Sequence, residues 1–150
     1  MSSENGGTLQ RRIIESCPDA VIFADQDGII RLWNGGAETI FGYTAEEAVG
    51  ERLDIIIPET MRERHWEGYF QVMKTGTTKY GKDTLSVPGI RKDGSRVSLE
   101  FSVALIRDED GVLLGISAMM RDVTARWLKE KEMKERIASL EAGGKKGEKS

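Results

Sequence analysis

The chain has 150 residues, 39% of them hydrophobic, which suits one domain with a single core. Its 22 basic and 25 acidic residues are mixed along the sequence, whereas a nucleic-acid partner would require a clustered basic face. No run approaches the roughly 18 apolar residues that span a bilayer, and the polar start has no signal-peptide pattern, so we expect a cytoplasmic protein without a membrane partner.

The N-terminal region predicts a flexible arm followed by a helix. Residues 1–8 are polar and Gly-rich, which favours a flexible arm. From residue 9 to residue 17, apolar side chains recur at helical spacing and would form one face: Leu9, Ile13, Ile14 and Cys17. Pro18 would end this helix because proline disfavours helical geometry in the residue before it.

A hairpin and two short helices are predicted next. Two β-prone runs, 20–24 and 29–33, flank an Asp-Gly turn at Gly28, which is a strong hairpin signal. Asn34 is a predicted N-cap for a helix over residues 35–41. The capping-box pattern of a further short helix, closed by a glycine, is formed by Thr44, Glu47 and Gly50.

The second half of the chain predicts a long helix, three strands and a final Lys/Glu-rich helix. The long helix covers about residues 59–74, and the strands are expected at 84–90, 96–106 and 112–121. Along the middle strand, apolar side chains alternate with polar or small ones and should face the helices: Val97, Leu99, Phe101 and Val103. This order predicts an α+β fold, a five-stranded antiparallel sheet with helices on one face.

The sequence offers little for catalysis or for a metal site built from several side chains. With one histidine and one cysteine, neither a zinc site nor a Cys–His pair can be assembled, and no internal disulfide can form. The acidic pairs Asp25/Asp27 and Asp108/Asp110 lie in predicted turns, where Asp favours local bonds to the backbone. We therefore predict that the chain is not an enzyme.

Several short motifs follow one another in the order of a known sensory family. The motifs are Pro18-Asp19-Ala20-Val21-Ile22, Asp27-Gly28-Ile29-Ile30, Trp33-Asn34, Ala37-Glu38, Phe41-Gly42-Tyr43, Glu46-Glu47-Ala48-Val49-Gly50, Arg91-Lys92-Asp93-Gly94-Ser95 and Arg121-Asp122-Val123-Thr124. Together they resemble the S-box pattern of PAS domains over about residues 9–126. Each motif alone has little specificity, but the ordered set at this spacing is specific.

The resemblance implies a sensory and signal-transduction module whose helices and inner sheet face enclose a small-molecule pocket. The implied division of the chain is a flanking helix over 9–17, a PAS core over 18–123, an exit helix over 124–141 and a disordered tail over 142–150. Flanking helices of this family pass the signal on and often form dimers. We therefore expect a homodimer, with a histidine kinase or a regulator as downstream partner. Asp122 and Thr124 resemble the family's signal-transfer triplet, in which Asp122 would anchor the last strand to the exit helix.

One segment of the predicted long helix resembles the haem-ligating stretch of rhizobial oxygen-sensor kinases. It covers residues 58–65, and the resemblance implies that His65 is the proximal ligand of a haem iron. Met61 and Tyr69 fall on the same helical face as His65. A neutral imidazole on an apolar stripe is what haem ligation requires.

The distal side departs from those oxygen sensors, which place an arginine there. The corresponding residue is Thr84 or Leu85, and Phe101 and Val103 would form an apolar distal wall. A donor that stabilises dioxygen is thus missing or different. If haem is present, we expect the ferrous form to bind carbon monoxide more readily than it retains dioxygen.

The identity of the ligand stays open at this point. The same Arg-x-x-His segment occurs in many PAS domains without haem, where His65 would be a buried or rim histidine. The alternative function is a ligand-free interaction and dimerisation module whose pocket is filled by its own side chains. Flavin is disfavoured because Cys17 lacks the Asn-Cys-Arg context of the flavin-binding light-sensor subfamily, and Trp33 is more simply a core residue.

Overall fold

The computed structural model describes the backbone of residues 2–78 and 85–148 and the side chains of residues 7–78 and 85–143. At its centre are five antiparallel strands, β1 (Ala20–Asp25), β2 (Ile30–Trp33), β3 (Leu85–Ile90), β4 (Arg96–Arg107) and β5 (Leu113–Asp122). They form one sheet in the order β2-β1-β5-β4-β3. The predicted five-stranded sheet with helices is confirmed.

The hairpin between β1 and β2 has the predicted Asp-Gly turn. Gly28 takes a φ of +79° and its N–H donates to the carbonyl of Asp25 at 2.9 Å. The Asp25 carboxylate accepts from the N–H groups of Asp27 and Ile29 at 2.9 and 3.1 Å. Asp108 bonds the backbone of its own turn in the same manner, through Asp110 and Val112. These aspartates therefore hold turns, as the sequence predicted.

Two short helices follow β2, each with the predicted N-cap. In α2 (Gly35–Phe41) the side chain of Asn34 accepts from the N–H of Ala37. In α3 (Ala45–Ala48) Thr44 and Glu47 form both halves of a capping box. α3 ends at Ala48, with Val49 as its C-cap, so it closes before the predicted Gly50.

The long central helix starts later than predicted. Residues 59–61 form a 3₁₀ turn (Glu59–Met61), and α4 (Arg62–Thr75) begins after it and ends at Gly76, whose φ is +71°. A second 3₁₀ turn covers Leu53–Ile56. The 3₁₀ start is consistent with Pro58, which cannot donate a backbone hydrogen bond to the preceding turn.

Both flanking helices are longer than predicted. The helix α1 (Ser2–Ser16) includes residues 2–8, which the sequence predicted as a flexible arm, and α5 (Thr124–Glu148) extends beyond residue 141 into the predicted disordered tail. A formed helix gains one backbone hydrogen bond per added residue while its costly nucleus is already present. The glycines in these segments lower helix propensity without removing backbone donors.

The core lies between the inner face of the sheet and helices α2 to α4. Its fully buried members come from β1, β2, β4, α2 and α3: Ala20, Ile22, Ile30, Ala37, Phe41, Ala48 and Val97. Val97 and Leu99 are buried on the inner face of β4, while Ser102 and Ala104 are exposed on the other face. The predicted register of β4 is confirmed.

Candidate ligand-binding pocket

A cavity of about 530 Å³ lies between α4, the 3₁₀ turns and the inner face of the sheet. Its volume falls within the range of about 300–1,000 Å³ that is usual for small-molecule sites. The inner face contributes apolar side chains from the two longest strands: Leu99, Phe101, Val103, Ile116, Ala118 and Met120. The described side chains thus leave a cavity large enough for a small apolar molecule.

The predicted pocket residues come together around this cavity. Met61, His65 and Tyr69 line it from the α4 side. Phe101 and Val103 line it from β4, and Leu85 lines it from the start of β3. Thr84, the other candidate for the distal position, lies outside the described residues.

His65 contributes a polar atom that has no hydrogen-bond partner. Its Nδ1 is buried and makes no hydrogen bond within the described parts of the chain. Burial lowers the pKa of His65 below its usual value, and the negative charge of Asp54 offsets this only in part. The imidazole is therefore neutral at neutral pH. Buried polar atoms are normally hydrogen-bonded, so a bound ligand can supply the hydrogen bond that this nitrogen lacks.

Tyr69 and Trp66 fix α4 to the β1–β2 hairpin. The hydroxyl of Tyr69 donates to the carbonyls of Ala24 and Asp25, at 3.2 and 2.5 Å. Burial raises the pKa of this hydroxyl, and the charges of Asp25 and Asp27 raise it further, so it remains a donor.

On the neighbouring face of the helix, Trp66 Nε1 donates to the carboxylate of Asp54 at 2.7 Å. A Cβ atom at Gly28 would lie 2.2 Å from the Trp66 ring, so the hairpin contacts α4 through a position that only glycine can occupy. Phe70, on the same helix, is exposed and does not line the cavity.

Several residues of the pocket were not predicted from the sequence. β5 supplies the inner wall through Ile116 and Ala118, and α4 supplies Arg64 and Gly68. The small residues of β5 obscure its alternation, but the helical spacing of Met61, Gly68 and Val72 could have indicated Gly68. Met73, also on α4, packs against the core without lining the cavity.

The end of β5 is joined to α5 by a compact hydrogen-bond network. Asp122 Oδ1 accepts from the N–H and the hydroxyl of Thr124, at 2.9 and 2.5 Å, and the Thr124 hydroxyl oxygen accepts from Ser98 N–H at 2.9 Å. Asp122 also pairs with Arg91 at 3.2 Å. Partial burial opposes the charge of Asp122, but hydrogen bonds from Thr124 and Arg91 outweigh it and lower its pKa.

The residues of the pocket fit an axial haem ligand but no multidentate metal site. His65 lies on the cavity wall as a neutral imidazole with an unpartnered nitrogen, opposite apolar side chains, and that is the environment of a haem-ligating histidine. Within residues 2–78 and 85–148, no group of three or more His, Cys, Asp or Glu side chains could hold a metal ion. Nor does any helix of that same region have the length and apolarity to cross a membrane.

Comparison with known proteins identifies the same fold. A family model described as "PAS fold" matches residues 8–123. The chain is 35% identical over 98 residues to Sensor protein FixL of Bradyrhizobium diazoefficiens, covering 64% of the chain and 19% of that protein. It is 24% identical over 122 residues to Oxygen sensor protein DosP of Escherichia coli, covering 81% of the chain and 15% of that protein. The chain thus spans about a fifth or less of these relatives.

A solved structure agrees with the family match. The PAS domain of a protein from Colwellia psychrerythraea superposes with a TM-score of 0.68 at 24% sequence identity. The match covers 79% of the present chain and 97% of that domain. At this identity the likeness supports the fold.

Proposed function

The chain belongs to the PAS family, and we propose that it is a sensory module that binds a small, mostly apolar molecule in the pocket between α4 and the sheet. The observation that carries this proposal is the cavity itself, apolar along β4 and β5 and bearing the unpartnered nitrogen of His65. Burial of an apolar ligand there would be favourable by roughly 25 cal/mol for each Å² removed from water.

The signal would leave the pocket through β5. Ile116 and Ala118 line the cavity, and the same strand ends at Asp122, which bonds Thr124 at the start of α5. A ligand that shifts β5 therefore acts on the exit helix without an intermediate element. We propose that α5 passes this shift to a histidine kinase or a regulator. The matched part makes up 19% of Sensor protein FixL, and this small share supports an input role beside an output domain.

Haem is the specific ligand that the sequence resemblance adds to this proposal. His65 would hold the iron, and the haem would supply a centre that binds a diatomic gas. Leu85, Phe101 and Val103 offer no polar side chain to that gas. His65 is the sole histidine of the chain, so no second imidazole can replace it.

Absorbance and mass measurements test the proposal. Freshly purified protein is examined by ultraviolet–visible spectroscopy and native mass spectrometry, and then titrated with haemin while the Soret band is followed. We expect haemin uptake in the wild type, its loss in His65→Ala, and its retention in Gln71→Ala, an exposed control on the same helix that does not line the cavity. Wild type without uptake removes haem as the ligand, and His65→Ala with a normal Soret band moves the iron ligand elsewhere.

We also propose that the module forms a homodimer through α1. Leu9 and Ile13 are 59% and 61% exposed on one face of this helix, which is more apolar surface than a free helix should present to water. Light scattering should give a dimer mass for the wild type and a monomer mass for the Leu9→Glu/Ile13→Glu variant. Arg11 is exposed on the opposite side of the helix from Leu9 and Ile13, so Arg11→Glu is a control on the other face. A monomeric wild type, or a dimer that survives the double substitution, would refute this interface.

A further inference from the structure

Arg64 is a cation at a mostly apolar cavity, and it has no partner among the residues that the structure describes. Among the described residues that line the cavity, Arg64 alone carries a full positive charge, and none carries a negative charge. No ion pair or hydrogen bond within the described region involves its guanidinium. Other arginines near the site have partners: Arg62 donates to the carbonyl of Ile57, and Arg52 lies over the Trp66 ring.

Because of Arg64, the cavity has one charged end near solvent and one apolar end at the sheet. Arg64 lines the cavity and is exposed, so this residue lies where the cavity meets solvent, whereas Ile22, Leu99 and Met120 line the cavity from the sheet side. Next along the helix, His65 adds a buried nitrogen that no described residue hydrogen-bonds. Guanidinium groups bind carboxylates through two parallel hydrogen bonds and are favoured where such recognition matters.

We infer that the ligand of this pocket is an amphiphile with one anionic end, a carboxylate held by Arg64 at the mouth and an aliphatic or aromatic body against β4 and β5. This inference rests on the proposed function and names the chemical class of its ligand. A cationic amphiphile would meet the Arg64 charge without any carboxylate among the described lining residues to pair with it. A neutral one would leave the guanidinium to water.

Three probes that share an octyl-length alkyl chain and differ in their head group test the inference. Octanoate, 1-octanol and octylamine are titrated into the 150-residue protein by calorimetry at neutral pH, where a carboxyl group with a pKa of about 4 is ionised. Octanoate should bind about tenfold more tightly than octanol, and octylamine most weakly. The preference for octanoate should shrink at high salt, because the pair lies near solvent.

Substitutions assign the preference to Arg64. Arg64→Gln should bind octanoate and octanol equally, and Arg64→Lys should keep part of the preference, since lysine retains the charge without the planar fork. Lys74→Gln is the matched control: it removes one positive charge from the same helix at an exposed residue that does not line the cavity. It should leave the preference unchanged.

The outcomes separate this inference from the proposed function. Equal affinity of the wild type for octanoate and octanol, or a preference that survives in Arg64→Gln, overturns the inference and leaves the pocket proposal standing. If only haemin binds, its affinity is compared in Arg64→Gln and Lys74→Gln, and an equal affinity likewise overturns the inference. If neither haemin nor any octyl compound binds, the proposed function fails and the inference with it.

Discussion

Replacing Asn34 with alanine should destabilise the fold far more than loss of an ordinary helix cap. Asn34 is 1% exposed, and its Oδ1 accepts from the N–H groups of Val21 and Ala37, at 2.8 and 2.9 Å. Its Nδ2 donates to the carbonyls of Ile14 and Asp19, at 2.7 and 3.0 Å. One side chain thereby joins the end of α1, the start of β1 and the first turn of α2.

The expected loss in the free energy of unfolding follows from the backbone groups that Asn34→Ala would leave without a hydrogen-bond partner. Loss of the cap at Ala37 costs about 1 kcal/mol. The Val21 N–H would lose its side-chain acceptor, at a cost of about 1–3 kcal/mol, and the freed carbonyls add about 1 kcal/mol. We expect the free energy of unfolding to fall by about 3–5 kcal/mol.

Urea unfolding measures this change, with Thr44→Ala as the control. Thr44 caps α3 at an exposed position, so its loss should cost only about 1 kcal/mol. Asn34→Asp keeps both accepting bonds but turns an oxygen toward the carbonyls of α1 and residue 19, and should also destabilise. A midpoint for Asn34→Ala no lower than that of Thr44→Ala, at unchanged m-value, would refute the hub role of Asn34.

Three further predictions concern glycine positions and pH. Gly68→Ala should raise the free energy of unfolding by about 1 kcal/mol in urea titration, because a Cβ there meets nothing within 4 Å and alanine is the better helix former. Gly28→Ala should lower the free energy of unfolding by about 2 kcal/mol or more, because the residue has a positive φ and its Cβ would overlap the Trp66 ring. Near-equal urea midpoints for Gly68→Ala and Gly28→Ala would contradict the packing of α4 on the hairpin. The lowered pKa of Asp122 means that its stabilising contribution is complete above the unfolded value of about 4 and is lost as pH falls through the folded value. The stability difference between wild type and Asp122→Asn should therefore narrow below about pH 4, and a constant difference would exclude this linkage.

Local signals in the sequence predicted the secondary structure because each depends on neighbouring residues. The Asp-Gly turn at Gly28 and the capping box of Thr44 and Glu47 need only a few residues to form, and both are confirmed. Alternation along β4 predicted which side chains face inward, since one face of the strand is buried. The N-cap at Asn34 is also local, but its bonds to Ile14 and Val21 depend on tertiary structure, which no local pattern contains.

The pocket could be predicted only where a recognisable pattern marked it. The stripe of Met61, His65 and Tyr69 follows helical spacing, and these residues do line the cavity. Arg64 lies one position from His65 and gives no signal in the sequence, because its significance comes from where the cavity opens. The boundaries of α1 and α5 were wrong for a related reason: composition describes propensity, whereas helix extension depends on the nucleus already formed.

If the cavity holds a ligand, a side chain that fills the cavity should abolish binding. Ala118 lines the inner wall on β5, so Ala118→Phe places a ring inside the cavity without removing any hydrogen bond. Thermal unfolding serves as the control for folding, and a midpoint at or above that of the wild type is expected because the ring occupies empty volume.

Ligand uptake is then measured for both proteins by titration with haemin and with octanoate. We expect the wild type to take up at least one of them at one molecule per chain and folded Ala118→Phe to take up neither. Wild-type protein that takes up neither compound, or a folded Ala118→Phe variant that binds as well as the wild type, would contradict this expectation.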